Sequence, residues 1–211
     1  MISALRDGVS AGMLAPVTMT PVPGRAELNA VAGTERVVVR LWHPVDADRL
    51  LDIHSRSEVM KWLGQIPMRN RDEALERIEQ WNLTAAPNLG LGMWAVVERD
   101  SSVPAGTVFM QVLPDGAGEV EIGWYLHPDS WGRGLASDAA TALLGRGFAS
   151  GLDEIWALPA PDNDRSIAVC RRIGMQLLGL TDRWWHEPHL MFWAGAHPGQ
   201  QPSVSPDAPA A

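Results

Sequence analysis

Beyond a Gly- and Pro-bearing opening segment, apolar positions along the chain follow two alternating rhythms. The β-branched run "TERVVVRLW" predicts a strand. In "HPVDADRLLDIHSRSEVMKWL", Leu50, Leu51 and Ile53 recur at helical spacing, with Asp46 placed to cap. "NRDEALERIEQWNL" predicts a second amphipathic helix, with Ala74, Leu75, Ile78 and Trp81 on one side. Three strand-like runs follow, "LGMWAVVE", "PAGTVFMQVLP" and "GEVEIGWYLHP". Turns at 99–102 and 114–118 separate them, and such short loops imply antiparallel pairing. A helix is expected from about Ala136 to Phe148, then a short buried strand, "EIWALPA". "NDRSIAVCRRIG" reads as a helix stopped by Gly174, and "MQLLGLTDRWW" and "HLMFWAG" as closing strands. The order is β-α-α-β-β-β-α-β-α-β-β. It predicts an α/β (α+β) domain with a mixed, mostly antiparallel sheet of about seven strands flanked by helices. The strand–helix–strand passage from Tyr125 to Ile155 calls for one parallel pair within it.

Outside this patterned region the composition changes. Residues 1–33 have little periodicity and read as a flexible leader; residues 194–211, "AGAHPGQQPSVSPDAPAA", read as a disordered Pro- and Ala-rich tail. The folded domain is then 34–193. A formal net charge of −8 argues against direct nucleic-acid binding and favours cationic partners. Cys170 is the only cysteine, which excludes an internal disulfide and a cysteine-based zinc site. "HEPH" lacks the i, i+4 spacing of a metal-binding helix and contains Pro188, so no metal is expected. No run is long enough for a membrane span and the N-terminus is a poor signal peptide, which predicts a cytoplasmic protein, monomer or homodimer.

Chemistry concentrates at "SWGRGLASDAA", where a strand feeds a helix through Gly132 and Gly134. The first N–H groups of a helix have no internal partner and carry partial positive charge. Glycines let an anion approach them closely. A phosphate or pyrophosphate would fit there, with Arg133 at the rim; a plain turn is the competing reading. The junction is not a P-loop, because no Gly-Lys-Ser/Thr is present, and antiparallel strands before it argue against a Rossmann domain.

The segment "EIGWYLHPDSWGRGLASDAA", followed by "NDRSIAVCRRIGM", resembles the GNAT superfamily of acyl-CoA-dependent N-acetyltransferases. Within it, the chain is similar to the branch holding the ribosomal-protein N-terminal alanine acetyltransferases, over about residues 36–193. The usual loop reads Arg/Gln-x-x-Gly-x-Gly/Ala, and Trp131 stands here in place of the Arg or Gln. The resemblance implies acetyl-CoA as co-substrate. Its pyrophosphate would lie on the amides of Gly132, Arg133, Gly134, Leu135, Ala136 and Ser137. Its pantetheine would lie between two splayed parallel strands, with Leu126 and His127 as backbone partners. It further implies that Asn163 contacts the cofactor and that Ser166 lies near the sulfur, where many members have a Tyr. Helix capping is the competing role for both residues.

Acyl transfer to an amine needs a proton acceptor for the amine, donors for the oxyanion and stabilisation of the leaving thiolate. Glu121, on the strand entering the loop, is the candidate base, directly or through water, with Glu119 on the same face at period two. A solvent-facing pair of carboxylates is the alternative. Ser166 is the candidate hydrogen-bond donor to the thiolate. Tyr125, Cys170 and Trp42 read as core, and His54 and Trp62 as walls of an acceptor cleft. The implied reaction is direct attack of a primary amine on acetyl-CoA in a ternary complex. The acceptor is a protein N-terminus, a cationic peptide or a small amine. A non-catalytic acyl-CoA-binding sensor is the alternative. Gly134→Asp is expected to abolish coenzyme A binding in isothermal titration, and unchanged binding would remove the loop from this role.

Overall fold

Val37, Val38, Val39 and Arg40 form β2 (Val37–Arg40), and all four are buried. A strand buried at successive positions must be covered on both faces. The computed structural model describes residues 28–64, 66–85 and 90–204 and shows that cover. One sheet of eight strands runs in the order β1-β2-β3-β4-β5-β6-β8-β7. Its other strands are β1 (Ala30–Gly33), β3 (Gly92–Glu98), β4 (Pro104–Val112), β5 (Val120–Leu126), β6 (Glu154–Ala157), β7 (Gln176–Thr181) and β8 (His189–Gly195). Every neighbouring pair is antiparallel except β5 and β6.

The helices divide between the two faces. On the front face α1 (Ala47–Ser55) and α3 (Arg71–Ala85) bury Leu50, Ile53, Ala74 and Ile78 against Ala95, Val97 and Tyr125. The short α2 (Ser57–Met60) adds Val59 to the same cluster. On the back face lie α4 (Leu135–Ala149) and α5 (Asp164–Arg172). They bury Ala139, Leu143, Ile167 and Cys170 against Val96, Val108, Ile122 and Phe192. The front of β6 and β8 is covered differently. There Trp156, Met191 and Trp193 pack with Trp184 from the β7–β8 connection and Val204 from the C-terminal segment.

Two expected boundaries move. The leader is expected to run to 33, but β1 adds an eighth strand that pairs with β2. Its four residues, Ala-Val-Ala-Gly, are too few and too small to stand out as a strand pattern; the ladder to β2 and the packing of Val31 and Ala32 on the core hold them. The tail is expected to be disordered from 194, but Ala194 and Gly195 complete β8. Beyond them, Gln200 Nε2 donates to Asp153 O at 3.0 Å and Ser203 N to Glu154 Oε2 at 3.0 Å, and Val204 is buried. Residues 1–27 of the leader and 205–211 of the tail lie outside the described residues.

Asp46 does not cap α1 as its position suggests. Its Oδ2 instead accepts from Arg40 Nη1 at 2.8 Å and His43 N at 3.0 Å. The Arg40 and Asp46 side chains are only 2% and 9% exposed, so this is a buried ion pair. Removing one member strands a charge in the interior, which outweighs what any surface pair contributes. Asp46→Ala should therefore lower stability by about 3–5 kcal/mol. Asp138→Ala, which breaks an exposed pair with Arg36, should cost less than about 1 kcal/mol. Urea denaturation of the two variants checks the contrast.

Candidate active site

The parallel strands β5 and β6 are in register at one described pair, Glu121 with Trp156. Beyond it a cleft of about 650 Å³ opens, with Trp124 and Leu126 on the β5 side and Ala157 and Leu158 on the β6 side. The ladder decides which backbone groups face this gap. His127 N donates to Ala105 O at 2.8 Å, toward β4. Alternation along a strand then turns the peptide groups of Leu126 to the opposite edge, into the gap. The Leu126 carbonyl accepts the Trp131 indole N–H at 2.8 Å, and a carbonyl has a second lone pair to offer.

The glycine junction closes one end of the cleft. Gly132 and Gly134 both take left-handed conformations, with φ of 72° and 79°. A side chain at either site would be strained. A Cβ built on Gly132 meets no heavy atom within 4 Å, so the loop faces open space. The first bond into α4 is Asp138 N to Gly134 O at 3.1 Å. Among the described residues, the N–H groups of residues 132–137 have no protein partner. That row at the N-terminus of a 15-residue helix can seat an anion, and a diphosphate suits it.

Charges around the seat are sorted. Arg36 brackets the loop, with Nη2 donating to Arg133 O at 2.8 Å and Nε to Asp138 Oδ2 at 2.7 Å. Asp138 is thereby neutralised beside the seat. Arg133, expected as a rim cation, pairs with Glu98. Two arginines that no sequence motif marks, Arg165 and Arg172, line the cleft without an ion pair among the described residues. Arg172 donates to the Ser137 hydroxyl at 2.8 Å, and Arg165 lies 4.1 Å above the Trp131 ring. Helical spacing along α5 was the available signal, since positions 165, 169 and 172 share one face.

Glu121 lines the cleft and is 7% exposed. Burial pushes its carboxyl up to about 7, opposed by a 3.2 Å hydrogen bond from Gln111 Nε2. It is therefore no solvent-face carboxylate. Glu119 is not part of the cleft; it accepts from Ala117 N and lies 4.0 Å from Arg183. Gly123, between Glu121 and Tyr125 along β5, is required by packing. A Cβ there would sit 2.2 Å from the Phe109 ring, which also lines the cleft. Ser166 and Asn163 line the opposite wall, and Asn163 Oδ1 also caps α5 by accepting Ser166 N at 3.2 Å.

Other expected positions fall differently. Trp62 lines the cleft, but His54 does not. His54 is buried behind Tyr125, its Nε2 3.1 Å from the Tyr125 hydroxyl, and burial lowers its pKa to about 4. Tyr125, expected as core, is buried and reaches the cleft as well. Cys170 is core, its thiol pushed up to about 12 by burial. His127 is turned away: its N–H bonds Ala105 O, its C=O accepts Ser130 N, and its ring lies between Asp52 and Asp129. Both backbone groups of His127, expected to meet pantetheine, are therefore already engaged. Among the described residues no cluster of His, Cys, Asp and Glu could hold a metal ion, and no helix is long and apolar enough to cross a membrane.

A mixed sheet parted at its parallel pair, with an anion seat at the mouth of the gap, defines an acyl-CoA-dependent acetyltransferase. Residues 36–176 match the family described as the acetyltransferase (GNAT) domain, and the chain belongs to that family. It is 25% identical over 155 residues to the N-acetyltransferase YoaA of Bacillus subtilis (strain 168), covering 73% of this chain and 87% of that one. The ribosomal-protein-S5-alanine acetyltransferase of Vibrio fischeri shares the fold at a TM-score of 0.64 and 20% identity, over 81% of this chain and 100% of its own. So does RimL, a ribosomal L7/L12 alpha-N-protein acetyltransferase solved with coenzyme A, at 0.64 and 17%, over 79% and 97%.

The raised carboxyl of Glu121 has a stability consequence. The folded state holds this proton more tightly than the unfolded chain, so its stabilising effect is complete below about pH 4.5 and is lost as pH rises through about 7. His54 acts oppositely: its contribution is present above its ordinary 6.5 and lost on acidification through about 4. Glu121→Gln should therefore raise the melting temperature relative to wild type above about pH 8 and lose that advantage near about pH 5. Thermal melts at the two pH values test it; an equal difference at both would contradict the burial of the charge.

Proposed function

We propose that this protein moves the acetyl group of acetyl-CoA to a primary amine by direct attack in a ternary complex. The amine belongs to a protein N-terminus or to a small molecule. The amides of Gly132, Arg133, Gly134, Leu135, Ala136 and Ser137 hold the pyrophosphate, with Arg172 beside them. The pantetheine arm runs along the free edge of β5 at Leu126, next to Trp131. Acetyl-CoA supplies the activated acyl group; the chain supplies position and proton transfer. Ser166 donates a hydrogen bond toward the sulfur, and Asn163 holds the turn that presents it.

The observation that carries the reading is the Glu121 carboxyl, buried in the cleft and pushed up to about 7. A base near neutrality suits the amines to different degrees. An α-amine, at about 7.7–8.0, gives its proton to such a group at a disadvantage of about one pH unit. A lysine, at about 10.4, does so at a disadvantage of more than about three. An N-terminal or similarly acidic amine is therefore favoured over lysine. The net charge of −8 and the second cleft carboxylate, Glu58, agree with a cationic acceptor.

Thiol release from acetyl-CoA against a panel of α-amino peptides, small amines and lysine derivatives tests this. Glu121→Gln should lower kcat at neutral pH by about tenfold or more, with the acid limb of the pH–rate profile removed. Ser166→Ala should lower it by more than about threefold. A Glu121→Gln enzyme with the wild-type profile would take the base away from Glu121.

A further inference from the structure

The cleft holds one histidine, a titratable group that neither the loop nor Glu121 explains. His189, the first residue of β8, lines it. We propose that His189 is a second catalytic proton acceptor, taking the proton of the incoming ammonium at its Nε2. The inference rests on the reading that the amine enters on the Glu121 face of the sheet.

Strand register puts His189 on that face. Glu121 pairs with Trp156 across the parallel step, and Trp156 with Trp193 across β6 and β8. Paired residues share a face, and side chains alternate along a strand. Trp193 and Met191 therefore point with Glu121, while Phe192 joins the core under α4. Two residues before Met191, His189 falls on the Glu121 side. Leu190 N donates to Pro159 O at 2.9 Å, which continues the β6–β8 register and sets His189 opposite Ala160, also in the cleft wall. His189 thus stands across the parted sheet from β5.

Its tautomer follows from its partner. Nδ1 lies 2.8 Å from the backbone carbonyl of Glu187. A carbonyl only accepts, so Nδ1 carries the hydrogen and, in the neutral ring, Nε2 carries the lone pair. The ring is half-buried, so a proton taken there reaches water. Glu121 is more enclosed, with Gln111 as its hydrogen-bond partner. Nε2 takes one proton from the ammonium, leaving an imidazolium still bonded to Glu187 O. The freed amine lone pair forms the N–C bond to the acetyl carbon and the C–S bond breaks. The surplus amine proton passes to Glu121 and from there to the sulfur, giving the free thiol, and the imidazolium returns its proton to solvent.

The test uses the full chain with acetyl-CoA and alaninamide. His189→Ala should lower kcat/KM for alaninamide by about a hundredfold, leave the KM for acetyl-CoA unchanged and recover with added imidazole. His189→Asn keeps a donor near the Nδ1 position for Glu187 O but has no base, and should be as slow. Both variants within about twofold of wild type, or a loss that imidazole does not relieve, would overturn the proposal. Glu121→Gln separates the two readings: a slow Glu121→Gln beside a normal His189→Ala keeps Glu121 and removes His189, and the reverse moves the base to His189. Nitrogen-15 shifts of the His189 ring in the wild type give a readout without turnover. A neutral ring protonated at Nε2 would also overturn the proposal.

Discussion

The parting of β5 from β6 is the constraint on which the rest depends. Parallel strands need a crossover, and here α4 provides it, so the start of that helix is delivered to the end of β5. With β6 in register only at Trp156, the far edge of β5 loses its neighbour and its peptide groups need other partners. The Trp131 indole takes the Leu126 carbonyl. The remaining edge and the unpaired amides of α4 open into one space. A pantetheine arm and a diphosphate require those two features side by side. Had the strands stayed paired, the cleft would be a sheet.

Charge placement follows from the same geometry and not from the totals. The chain carries a net charge of −8, yet the anion-seat end of its cleft is basic. Asp138 sits in the first turn of α4, and Arg36 reaches from the β1–β2 side to neutralise it. Glu98 neutralises Arg133. Arg165 and Arg172, which face the cleft with no ion pair among the described residues, come from a different helix on the opposite wall. Net charge describes how the molecule meets distant partners; the seat is decided by which ion pairs close locally.

Burial of Glu121 ties the stability of the fold to pH. Desolvation that lifts its carboxyl toward neutrality makes its ionised form costly in the folded state. His54, hydrogen-bonded behind Tyr125, carries the opposite pH slope over an overlapping interval, so the two buried groups offset each other. Arg40 and Asp46 are as deeply buried, but they pair directly, and neither faces the cleft. The buried ion pair and the buried carboxyl differ in this fold by whether an opposite charge is supplied.

Local patterning determined the elements in their order, the parallel step, and the Gly-x-Gly junction that only left-handed residues can make. These depend on the spacing of apolar residues and on the backbone freedom of glycine, both carried by neighbouring positions. The glycine junction from Trp131 to Ser137 was legible for that reason, while Asn163 and Ser166 were singled out only through the family resemblance. Tertiary structure alone decided which groups meet. It turned His127 and His54 away, brought Arg172 to Ser137, seated β1 and Val204, buried Glu121 and brought His189 to the same cleft. Which edge of a strand is free, and how dry a side chain is, depend on segments far apart in sequence. No local window contains both sides of a parted sheet.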